Sequence, residues 1–234
     1  MNTLTLTRRP SSRDRSLVPQ LENGDRLSRE EFHRRYEAMP ANVRAELIKG
    51  VVYMASPVRA QNHGKPHAQI MSVLGSYQIS TPGLELLDNV TYIASEDYEP
   101  QPDGVLRILE SLGGRSRINE SDYLEGSPEF VVEIASSTAS YDLHDKLELY
   151  EQKGIQEYLV WRVLDDRFDW FSLEEGKYVR LPADEQGIIE SKVFPGLRLN
   201  TMAMLEDNLK QVLADLQTGM ASTEYIEFAK NLGE

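Results

Sequence analysis

The chain predicts one α/β domain in which a mixed central β-sheet is flanked by helices. Three observations carry this expectation. Phe130 to Ala135 and Glu157 to Val163 are apolar runs of strand length. Between them, a helical segment from about Tyr141 to Lys153, closed by Gly154, is long enough to return the chain for a parallel partner. Downstream, Asp169 to Phe171 and Lys177 to Leu181 read as a hairpin turning at Glu175-Gly176, so part of the sheet is antiparallel.

Taken in order, residues 1–20 mix Thr, Ser, Arg and Pro without apolar periodicity and are expected to form a disordered arm. Ser28-Arg29-Glu30-Glu31 ahead of Phe32 and Tyr36 marks a helix start, and Pro40 its end. Glu46 to Met54 reads as two short strands turning about Lys49-Gly50. The spacing of Ile70, Val73, Leu74 and Tyr77 predicts a helix from Pro66 to about Ser80, which Pro82-Gly83 stops. Leu84 to Ile93 and Val105 to Leu109 are expected strands, and the polar stretch from Gly113 to Ser127 a loop. Met202, Leu205, Leu209, Val212, Leu213 and Leu216 share one face of a helix over 201–217, with a shorter helix after Ser222. The resulting organisation is an arm (1–20), a domain (21–200) and a C-terminal helical tail (201–234).

Composition narrows the chemistry. The 234 residues are enough for a core of their own. Cysteine is absent, which excludes disulfides, thiolate catalysis and cysteine-held metals. No apolar stretch approaches the ~20 residues of a membrane span, and the N-terminus lacks a signal-peptide core, so a cytoplasmic protein is expected. The net charge of −13 argues against broad coating of nucleic acid, although it leaves local basic contacts open.

Against that background Glu133 stands out, because it interrupts Phe130-Val131-Val132-Glu133-Ile134-Ala135. A buried carboxylate without a partner costs several kcal/mol, so something cationic should meet it. Two cations qualify: a metal ion, or a buried Lys or Arg. Asp103 lies upstream in Pro100-Gln101-Pro102-Asp103-Gly104, either as a second hard oxygen ligand at a strand mouth or as a turn residue. Lys146 shares a helical face with Asp142 and Tyr150; it reads either as a cation serving that site or as half of a surface pair with Asp142. His63 and His67, four apart, put two imidazoles on one face, with a phosphate contact open to His67. The terminal Met/Leu/Val stripe is expected to be covered, by the domain or by a second copy in a homodimer.

Several of these residues also carry a resemblance. Glu46-Leu47-Ile48-Lys49-Gly50, Pro102-Asp103, and Pro128 to Ser136 occur in this order, followed by Asp142, Lys146, Tyr150, Gly154 and Glu157-Tyr158-Leu159-Val160-Trp161. Over roughly residues 25–200 the chain resembles the Uma-type family, named as restriction endonucleases within the PD-(D/E)XK nuclease superfamily. The resemblance implies a restriction-endonuclease-like fold and Mg²⁺-dependent hydrolysis of DNA phosphodiesters, with Mn²⁺ as a substitute ion. It also implies Asp103 and Glu133 as metal ligands and Glu46 as an accessory acid. The superfamily's lysine stands two residues after the acidic ligand, where this chain has Ala135. The resemblance moves that role to Lys146, while a non-catalytic binding or regulatory module remains the alternative.

Overall fold

The structure is a computed structural model that describes residues 18–40, 42–55, 59–136 and 139–233. Of the expected N-terminal arm, only residues 18–20 fall within the described residues. The chain divides into two compact units. The smaller comprises residues up to Ser56 with Ser95–Pro100, and the larger Pro57–Ala94 with Gln101–Glu234.

In the smaller unit, α1 (Arg29–Ala38) starts at Ser28, whose Oγ accepts from the Glu31 amide at 3.3 Å. Strands β1 (Ala45–Ile48) and β2 (Val51–Met54) pair antiparallel. Their two-residue turn, Lys49-Gly50, has positive φ at both positions, which matches the twist of a hairpin. Phe32, Leu47 and Val52 form the small core.

In the larger unit a single π-type turn, Ala60–Gly64, runs into α2 (Lys65–Ser80). The following elements are β3 (Leu84–Asp88), β4 (Tyr92–Ile93), β5 (Gly104–Ile108), β6 (Ser116–Ile118), β7 (Leu124–Gly126) and β8 (Phe130–Ala135). Next come α3 (Ala139–Asp142), α4 (Asp145–Gln152), β9 (Glu157–Arg162), β10 (Arg167–Glu174) and β11 (Lys177–Arg180). A short pair, β12 (Ile188–Glu190) and β13 (Arg198–Asn200), leads into α5 (Thr201–Leu205), α6 (Leu209–Met220) and α7 (Thr223–Gly233).

Six strands form the central sheet in the order β11-β10-β9-β8-β5-β3. β8 and β9 are parallel, joined by the α3–α4 crossover, and the other neighbours are antiparallel. This is the mixed, helix-flanked sheet that the sequence predicts. One face carries Leu106, Phe130, Val132, Ile134, Leu159 and Trp170, packed with Ile70, Val73 and Tyr77 of α2 and with Met204, Val212, Leu216 and Tyr225 of α5–α7. The terminal apolar stripe is therefore covered within the same unit from Leu209 to Leu216. Met202 and Leu205, expected on the same face, are exposed, and Ala203 and Met204 are buried in their place. Tyr158 and Glu133 point to the opposite face, where α4 supplies Tyr150 and Lys146.

Local departures from expectation have local causes. Leu84 to Ile93 is two strands, because Asn89 takes φ 51 and ends the first; β4 then joins a separate three-stranded sheet with β7 and β6. The expected 113–127 loop holds those two strands, each three residues long, too short for a periodicity to register. The helix expected from Tyr141 to Lys153 is interrupted at His144 (φ −124, ψ −76). The 201–217 helix breaks at Asp207 (φ 60), after which Asn208 accepts from the Gln211 amide to start α6.

Candidate active site

Gly104 of β5 pairs with Val132 of β8, which brings Asp103, one residue before the ladder, beside Glu133 and Ile134. The Ile134 amide donates to Asp103 Oδ2 at 2.7 Å, so the aspartate is tied to the strand that carries the glutamate. The glycine matters here: a Cβ at 104 would come within 2.8 Å of Val132 Cγ1 and 2.9 Å of Met71 Sδ. A side chain there would require the Val132 and Met71 side chains, or the strand itself, to shift.

Glu133 is 4% exposed and Lys146 2%. Lys146 Nζ donates to Glu133 Oε1 at 2.9 Å, and the Tyr150 hydroxyl donates to the same oxygen at 3.0 Å. On its other side Lys146 Nζ lies 3.6 Å from Asp142 Oδ1, itself buried. The surface reading of the Lys146–Asp142 pair is thereby corrected: both partners are buried, because Lys146, Leu149 and Tyr150 form the inward face of α4. Gly154, at φ 71, then ends that helix in the left-handed conformation.

His63 completes the cluster, and its signal in the sequence was only its four-residue spacing from His67. Its Nε2 lies 3.2 Å from Asp103 Oδ1 and its Nδ1 3.2 Å from the Ile134 carbonyl. Both ring nitrogens thus face acceptors, which the doubly protonated imidazolium satisfies. The hydrogen bond to Asp103 holds the His63 pKa above its ordinary value, against the opposing pull of burial. The His63 and His67 rings stack at 5.7 Å. His67 Nε2 meets the Asp103 carbonyl at 3.1 Å and Asp88 at 3.0 Å, a contact that steadies the Asp103 backbone.

Asp103, Glu133 and Lys146 all belong to the larger unit, with Lys146 in direct contact with Glu133. Glu46 belongs to the smaller unit, half-buried in β1 opposite Tyr53. Ala135 sits at the end of β8, paired with Arg162 of β9. Arg162 is committed to Asp165 at 2.6 Å and Asp169 at 2.7 Å, so it does not replace the absent lysine. Among the described residues, no three acidic or histidine side chains are grouped as a ready metal cage. The donor chemistry nonetheless suits a hard divalent ion. Asp103, Glu133 and Asp142 meet one lysine and one imidazole, so these five groups retain a net negative charge even with His63 protonated. Mg²⁺ needs only one or two carboxylates, with water filling its other positions.

A family model matches residues 29–202, and its description reads "putative restriction endonuclease". The chain belongs to the Uma2 family. No curated protein matches it. Among solved structures, a "putative nuclease belonging to DUF820" from Anabaena variabilis aligns with a TM-score of 0.52 and 13% identity, covering 81% of this chain and 99% of the other. At that identity the likeness is one of fold. The Uma2 match runs through β1, the Pro102-Asp103 turn, β8, α4 and β9, so it takes in every residue of the candidate site.

Proposed function

We propose that this Uma2 protein is a metal-dependent endonuclease that hydrolyses DNA phosphodiester bonds, using Mg²⁺ or Mn²⁺. The observation that carries the reading is the buried Asp103–Glu133–Lys146 arrangement: two carboxylates from adjacent strands with a lysine directly on one of them. Asp103 and Glu133 would hold the ion. When bound, it supplies a more acidic water and offsets charge developing on the phosphate. Lys146 is the buried ammonium group of the set. Its ammonium group, 3.6 Å from Asp142 Oδ1, would donate to a phosphate oxygen or orient the attacking water. His63 and the Ile134 amide hold Asp103 in place meanwhile. Glu46 enters as an accessory acid through the family resemblance alone.

The competing reading, a non-catalytic binding or regulatory module, is favoured by Ala135 at the superfamily's lysine position. One experiment separates the two. Asp103→Ala and Glu133→Ala should each abolish Mg²⁺-dependent cleavage of plasmid and oligonucleotide DNA, with circular dichroism unchanged. Wild-type protein that cleaves no DNA under Mg²⁺, Mn²⁺ or Co²⁺ would favour the module reading instead.

A further inference from the structure

We infer that Tyr150 is a positioning residue for Glu133, fixing its carboxylate through Oε1 so that the carboxylate keeps its direction when Lys146 turns to the substrate. The inference rests on the nuclease reading above. Tyr150 is fully buried, four residues after Lys146 and therefore on the same face of α4. Its hydroxyl and the Lys146 ammonium group meet the same oxygen, at 3.0 and 2.9 Å. Two donors on one oxygen set the plane of the carboxylate. If Lys146 leaves, the tyrosine hydroxyl still holds it. The ring is fixed independently, edge-on to Tyr158 with centroids 4.9 Å apart, while the Tyr158 hydroxyl donates to the Asp142 carbonyl at 2.9 Å. The hydroxyl can thus be removed without moving the ring. Partners that orient a metal-binding carboxylate in this way typically account for ~10- to 100-fold in metal affinity.

The test is Mn²⁺ titration calorimetry on the full chain, wild type against Tyr150→Phe, with Glu133→Ala as the non-binding control. Tyr150→Phe should melt close to wild type but bind Mn²⁺ ~10-fold or more weakly. Its cleavage should be shifted to higher Mg²⁺ and recover most of its rate at saturation. Unchanged Mn²⁺ affinity and an unchanged Mg²⁺ activation curve in folded Tyr150→Phe would overturn the inference. If that variant does not fold, Tyr150→Met, which also lacks a donor, carries the same comparison. A wild type that cleaves nothing, but whose Mn²⁺ affinity falls in Tyr150→Phe, keeps Tyr150 as the residue that positions Glu133 and removes the nuclease reading. A wild type that binds no Mn²⁺ removes both.

Discussion

Lys146 stands between two buried carboxylates, and that position dictates what its loss should do. Lys146→Met keeps the length and apolar stem but leaves Glu133 and Asp142 buried around no ammonium group. Removing one partner of such a pair costs about 3–5 kcal/mol, which urea denaturation in EDTA will read as a lowered midpoint. Single-turnover cleavage should fall by ~10² or more. Lys146→Arg should recover stability only in part, because a planar fork does not fit a slot made for a point donor. Wild-type stability in Lys146→Met would show that the two carboxylates are satisfied elsewhere. At this scale the need for a cation beside Glu133 was legible, since a carboxylate in the middle of an apolar strand demands one. That Lys146 rather than a metal ion or another basic residue meets it directly was left open by the sequence. The place of His63 was not legible. It reaches Ile134 across 71 residues of chain, and nothing in its own neighbourhood distinguishes it from a helix-start histidine.

Glu157 shows the same logic at the scale of elements. It opens β9, is fully buried, and accepts from Ser191 Oγ at 2.7 Å, the Lys192 amide at 2.6 Å and Trp170 Nε1 at 3.2 Å. It thereby ties the segment before β13 to β9 and β10. Burial pushes its pKa up to about 7 although these donors pull the other way. A carboxyl raised in the folded state binds its proton more tightly there than in the unfolded chain. Its contribution is therefore most favourable at or below pH ~4.5, declines as pH rises towards about 7, and is flat above that. The decline is at most about 3 kcal/mol. Urea midpoints at pH 5 and pH 8 should differ less in Glu157→Gln than in wild type; an equal difference would assign the pH dependence to other groups. Elements were legible where one residue pair dictated the backbone. Lys49-Gly50 and Glu175-Gly176 both adopt the positive φ values that close two-residue hairpins. They were illegible where periodicity ran on through a single left-handed residue, as at Asp207, or where strands were three residues long, as in β6 and β7.

For the whole molecule the decisive fact is that the larger unit's core is closed by the end of the chain. The sequence presents residues 201–234 as an amphipathic helical tail beside a domain, with no way to say which surface covers the stripe, because an intramolecular core and a second subunit use the same pattern. In the structure Ala203, Met204, Val212, Leu216 and Tyr225 join α2 and the sheet in one core, and the Tyr225 hydroxyl donates to the Ser80 carbonyl at the end of α2 at 2.6 Å. Asn200 secures the entry to this segment, its Oδ1 accepting from the Ala203 amide at 2.9 Å. Each large apolar side chain in such a core contributes about 1.5–3 kcal/mol by burial. Losing several together approaches the ~5–15 kcal/mol that separates a folded domain from its unfolded chain. A truncation after Asn200 should therefore lose its cooperative thermal transition and bind a dye for exposed apolar surface, rather than simply change its mass. If the truncated chain instead melts cooperatively near the wild-type temperature while its mass in solution halves, the stripe serves subunit pairing and the core is complete without it.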